Sequence, residues 1–323
     1  MKKTTAIAAA ACLALAAAIA SGAWVYEGKW GSLGTARGQF NYPWGVTVAP
    51  SGDVYVSELL NDRIQYFTPT GSFLGTWGKA GAGDGEFNQP RGIGAAPGGN
   101  VYVADTANNR VQYFTRAGSF LGKWGSHGSQ EGRFDTPTDV CVAPGGNVYV
   151  VDQRNHRVQY FTPGGSFLGK WGSEGSGEGQ FGYPEGLAAV PNGNVYVGDT
   201  FPARIQYFTL TGSYLGKWGS AGSGEGQFNC PAGVAVAPNG LVFVADEWNH
   251  RIQYFTATGS FLGKWGTQGS GNGQFNRPLG LSFSISGARA YVADSNNHRV
   301  QYFNRNEPAV APASLGRLRA IFN

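Results

Sequence analysis

Three cysteines, four histidines and one methionine are all the sulfur and imidazole in 323 residues, and Lys, Arg, Asp and Glu together make up only 14% of the chain. So few cysteines exclude a disulfide framework, and stability has to come from a packed core. The formal charge of +4, which falls to +2 without Lys2 and Lys3, is too small to argue for a nucleic-acid surface. One short apolar run, at the N-terminus, is not enough for a polytopic membrane protein. The 16 prolines follow no Gly-X-Y period, which excludes collagen. What the chain has in excess is glycine, 52 residues, and aromatic side chains, 14%. The aromatics give the chain enough surface to bury to offset the entropy of ordering it, so a glycine-punctuated β protein is expected, not a disordered one.

Lys2 and Lys3 precede the uncharged stretch from Ala6 to Ala20, and small residues follow in Ala18-Ile19-Ala20 and Ser21-Gly22-Ala23. This is the layout of a secretory signal peptide. The run is shorter than the roughly 20 residues a bilayer demands. Residues 1–20 are therefore read as a signal with cleavage after Ala20 or Ala23. The mature protein is expected in the periplasm or outside the cell, with no membrane span. Cleavage would remove Cys12, leave Cys141 and Cys230, and lower the formal charge from +4 to +2.

A fixed internal period decides architecture before any local reading. Here Pro43, Pro90, Pro137, Pro184, Pro231 and Pro278 mark six copies, and so do Trp30, Trp77, Trp124, Trp171, Trp218 and Trp265. The first five prolines are each 47 residues from the next, and one extra residue precedes Tyr291 in the last copy. Each copy reads as four short strands, a to d, separated by a Pro-x-Gly turn, an acid-containing loop and a Gly-Ser hairpin. In strand b, Val101 and Val103 point one way and Tyr102 the other. Four strands in each of six units predict an all-β fold, a six-bladed β-propeller of four-stranded antiparallel blades spanning residues 24–303. The last copy stops after strand c, and the N-terminus supplies an orphan strand d, Tyr26 to Gly31. That strand is expected to complete the last blade and close the ring.

At Asn155-His156-Arg157, Asn249-His250-Arg251 and Asn297-His298-Arg299 the copies resemble NHL repeats, and the resemblance covers essentially all of Trp24 to Phe303. It implies a propeller, but not one task, since one fold hosts unrelated functions. The family includes protein- and RNA-binding domains of animal regulators, extracellular sensor domains of bacterial kinases and the lyase domain of peptide-amidating enzymes. The lyase branch holds zinc with histidines from separate blades. Here His156, His250 and His298 share one slot in copies 3, 5 and 6, and His127 lies in a Gly/Ser loop. This arrangement argues against a zinc site of that kind.

Residues repeated in every copy are assigned to the blade itself. Arg63, Arg110, Arg157, Arg204, Arg251 and Arg299 each follow an acid by five residues and are expected to bridge it to backbone carbonyls. Function is sought where the copies differ, and the start of strand a and the b–c loop fall on one face around the channel mouth. There Tyr42, Trp44, Tyr183, Phe201 and Trp248 are candidate anchors, and Arg91, Arg154, Glu185 and Glu247 candidate polar readers. The expected function is an exported binding or scaffold protein, a monomer taking a protein, peptide or glycan on this face. The alternative is a channel-sited metal-dependent enzyme, resembling a peptidyl-amidating lyase or a lactonase. No catalytic residue, metal ligand or cofactor is assigned. Cys141 and Cys230, a whole blade apart, are expected to be free and buried. Gly-rich runs such as Gly81 to Gly85 have no following helix and read as interblade linkers. Residues 304–323 form a Pro/Ala-rich tail.

Overall fold

A computed structural model describes residues 23–190 and 193–306. The expected signal segment, Cys12 and most of the tail lie outside the described residues. Six separate four-stranded sheets are present, and each of the first five runs consecutively along the chain from strand a to strand d. Blade 1, for example, is built from Pro43–Val48, Val54–Glu58, Arg63–Phe67 and Phe73–Trp77. Among the described residues no helix is long and apolar enough to cross a membrane.

The sixth sheet joins the two ends of the chain. Its strands a to c are Pro278–Phe283, Arg289–Asp294 and Arg299–Arg305, and Trp24–Trp30 is its outer strand. Trp24 lies opposite Arg305 and Trp30 opposite Val300. Strand c thus continues two residues beyond the boundary at 303, because the N-terminal strand offers backbone partners that far. Blade 1 packs directly on blade 6: Phe40, Val46 and Phe67 share a core with Tyr291, Ala293 and Val300. The ring is closed.

Six apolar clusters, one per blade interface, form the core. The alternation of strand b produces them, since its two faces address the two neighbouring blades. Tyr102 is buried, yet its hydroxyl donates to the Pro163 carbonyl of the next blade at 3.0 Å. Blade 5 has Phe243 in that slot, and the Trp24 ring packs edge-on against it at 5.5 Å. The missing hydroxyl therefore coincides with the place where the closing strand docks.

The repeated arginines do what the repeat predicts. Arg110 donates from Nε to Asp105 at 2.6 Å, and its other nitrogens reach the Ala82, Gly83 and Glu86 carbonyls in the interblade linker. Gln112 donates to the same carboxylate at 3.1 Å and accepts from the Gly85 amide at 3.0 Å. Each acid is thereby consumed inside its blade, and the Gly-rich runs are linkers held by arginine.

Strand a of all six blades lines an axial channel of about 180 Å³. At its narrow end the second residue after each shared proline is glycine, because a Cβ on Gly186 or Gly233 would collide with the backbone of the next blade. Copy 3 is the exception, with Asp139 in the glycine slot.

Candidate functional site

The b–c loop sets the face. Its fourth residue adopts a left-handed conformation in every copy, from φ 49° at Asp62 to φ 64° at Ala203. From that position Asp62 accepts from the Gln89 amide, Asn109 from Thr136, His250 from Arg277 and His298 from Tyr42, at 2.8–3.2 Å. His156 instead donates to the Gly182 carbonyl at 2.9 Å. The histidines are therefore staples between neighbouring blades, which accounts for their shared slot. Four of these staples fix the residue before the next proline, at the channel mouth, and His156 holds Gly182, one residue earlier.

Two groups of side chains meet there. Arg91 lies over the Trp44 ring at 4.5 Å, and Trp44 adjoins Tyr42 at 6.1 Å. Arg277 lies over Trp248 at 4.2 Å and over Tyr42 at 5.9 Å, so Tyr42 links the groups. Arg277 donates to Glu247 Oε1 from Nε at 2.6 Å and again from Nη2. Glu247 is buried, and its other oxygen accepts from the Cys230 thiol at 3.0 Å. The thiol also faces Glu185 Oε2, at 3.9 Å.

These charges are unevenly compensated. Burial, and then the Glu247 charge, push the Glu185 carboxyl up to about 7. Asp139, half-buried at the axis, accepts from the Val140 and Leu187 amides at 2.8 and 2.9 Å, yet burial outweighs both bonds and lifts its carboxyl to about 7. Burial lowers the Arg91 pKa, and its Nε has no hydrogen-bond partner among the described residues. Burial, Glu185 and Glu247 raise the Cys230 thiol. The opposite end of the channel, a hollow of about 360 Å³ lined by residues such as Val48, Val142 and Phe283, contains no charged side chain among the described residues.

A family model described as "NHL repeat" matches residues 40–67, 87–114, 134–161, 228–255 and 275–303. The chain is an NHL-repeat β-propeller. The unmatched copy of this NHL propeller is the fourth, and its b–c loop is where it departs. Pro202 stands where the other copies have asparagine, and so lacks the amide that Asn108 or Asn249 donates to its linker at 2.9 Å. Ala203 stands in the staple slot with no side-chain acceptor. A pocket of about 560 Å³ opens between blades 4 and 5 at that point, lined by Phe201, Pro202, Ala203 and Cys230 among others.

Solved structures share the propeller's fold at low identity. A gluconolactonase from Xanthomonas campestris is 14% identical with TM-score 0.63, covering 88% of this chain and 98% of that one. A streptogramin B lyase is 13% identical with TM-score 0.61 and the same coverage. A virginiamycin B lyase from Staphylococcus aureus is 13% identical with TM-score 0.56, covering 80% and 79%. No curated protein matches the chain in sequence.

Of the residues selected from sequence, Tyr42, Trp44, Arg91, Glu185, Glu247 and Trp248 come together around the mouth. Tyr183 and Phe201 lie exposed beside it, on blade 4. Arg154 is exposed on blade 3 and forms no ion pair among the described residues. The cysteines are free, but both are half-buried and not sealed in the core: Cys141 lines the channel and Cys230 the pocket. Sequence reasoning passed over Arg277, Cys230 and Asp139. Asp139 replaces a glycine the other five copies keep, which made it visible as a departure, whereas Cys230 and Arg277 occupy the varied position before the proline.

Proposed function

We propose that this NHL propeller is an exported binding protein that captures a polypeptide partner on the face bearing the d–a and b–c loops. The observation that supports it most is the exposure of Tyr183, Phe201 and Trp248 on adjoining blades 4 and 5, at 44%, 75% and 49%. Large aromatics left in water around a pocket gain by burial against a partner, and such residues dominate interface energetics. Trp44 with Arg91, and Trp248 with Arg277, extend the patch as stacked cation–aromatic pairs of the kind enriched in interfaces. Export rests on the N-terminal signal layout.

The test is capture of partners by the immobilised mature protein, compared with a Trp44→Ala/Trp248→Ala double variant. Each truncation is expected to cost about 2 kcal/mol of binding, with a nearly unchanged melting curve. Capture undiminished by the double variant would sink the reading. A second reading, an enzyme working at the channel mouth, draws on the Asp139 and Glu185 carboxyls, both held near 7 where a group can take or give a proton at neutral pH. Hydrolysis of simple lactones that disappears in Asp139→Asn would favour it.

A further inference from the structure

We propose that Glu185, Cys230 and Glu247 form a site for one thiophilic divalent cation of the zinc class. The three side chains come from separate points of the chain: the residue after the proline of blade 4, the residue before the proline of blade 5, and the b–c loop of blade 5. One ligand atom from each lies within 4.8 Å of the other two. With metal–sulfur bonds of about 2.3 Å and metal–oxygen bonds of about 2.1 Å, a tetrahedral centre separates sulfur from oxygen by about 3.6 Å. The Cys230 sulfur is 3.0 Å from Glu247 Oε2 and 3.9 Å from Glu185 Oε2, on either side of that value.

Three further observations point to a cation. Among the described residues the Glu185 carboxylate has no hydrogen-bond partner except the thiol at 3.9 Å, and the like charge of Glu247 acts on it more strongly than either the Arg91 or the Arg277 guanidinium that faces it, so no cation bonds the two inward oxygens directly. The outer oxygen of Glu247 is clamped by Arg277, which leaves Oε2 aimed at the cluster, as an outer partner orients a ligating carboxylate. The pocket beside Phe201 reaches Cys230, which gives an ion a way in from solvent. A sulfur donor selects zinc over magnesium or calcium, which take oxygen. Loading forms the sulfur–metal bond as the thiol proton leaves to solvent, and three protein donors leave a fourth position open for water or a ligand group.

The experiment strips the purified mature protein with chelator and titrates it at neutral pH with zinc, and with cobalt as a spectroscopic probe. One equivalent is expected to bind, with a thiolate-to-cobalt charge-transfer band. Cys230→Ser should abolish the band and Cys141→Ser should retain it. Glu185→Gln should weaken zinc by more than about tenfold, since even outer-shell losses reach that size. Circular dichroism of each variant checks that the ring is folded. No stoichiometric binding, a band that survives Cys230→Ser, or a band lost with Cys141→Ser would each overturn the site. The variants that test partner capture leave these three ligands in place, so failure of one proposal does not carry the other with it.

Discussion

Arg110 and Arg277 each meet a buried carboxylate, but only the first pair recurs around the ring. Arg110 spends its donors inside its own blade, on Asp105 and three linker carbonyls. Arg277 reaches into the neighbouring blade for Glu247 and offers its face to Trp248 and Tyr42. The first arrangement is saturated and identical in kind from copy to copy, so it specifies the blade. The second occurs once, at the mouth, and among the described residues it leaves the Glu185 carboxylate with only the Cys230 thiol and the Arg91 Nε with no hydrogen-bond partner nearby. Charge chemistry that repeats with the fold serves the fold; charge chemistry that breaks the repeat is where a ligand can gain something.

Three substitutions put that contrast to the test. The largest effect belongs to the repeated pair: Asp105→Ala strands the Arg110 guanidinium in the interior and is expected to cost about 3–5 kcal/mol, measured by denaturant unfolding. A loss no larger than that of an exposed charge would break the contrast.

A smaller effect is expected at the axis. The Asp139 carboxyl is raised to about 7 in the folded state, against about 3.9 in an unfolded chain. Its contribution is fully present below about pH 4 and is lost as pH rises through 7, because the folded state holds the proton more tightly. Asp139→Asn should flatten the fall in stability over that window. The difference at pH 8 should be about 1–2 kcal/mol, reduced from the full linkage because solvent still reaches this half-buried group. Identical slopes for the two proteins would remove Asp139 from the account.

The smallest effect sharpens the difference between blade 4 and the rest. Ala203 holds a left-handed backbone at φ 64° that asparagine tolerates better, and it has no side-chain acceptor for the position 27 residues on, Cys230, that the other copies' staples reach. Ala203→Asn should restore the interblade staple seen at Asn109 and raise stability by about 1 kcal/mol. A lower melting temperature would show that the opening between blades 4 and 5 is not a missing staple.

Most of the fold could be read in advance, and the reason lies in repetition. Six aligned prolines and tryptophans reveal the period, and the lone Tyr26 to Gly31 segment reveals how the ring closes. The acid–arginine spacing of five residues recurs without exception, which marked it as part of the blade. The site was legible only by position. Varied residues could be placed on one face, but Arg154, selected there, stays exposed on blade 3, while Arg277, at an equally varied position that was passed over, reaches the mouth.

What the sequence determined by itself is therefore whatever each copy repeats: strand order, blade number, linker chemistry and closure. These depend on local pattern and on contacts between neighbours 47 residues apart, which the period makes uniform. The tertiary structure alone decided which unrepeated side chains meet. Glu185, Cys230, Glu247 and Arg277 come from three blades, and whether they touch depends on side-chain directions across blade interfaces and on the opening at Ala203. No spacing along the chain encodes those distances, because the ring brings together residues whose separation in sequence differs for every pair.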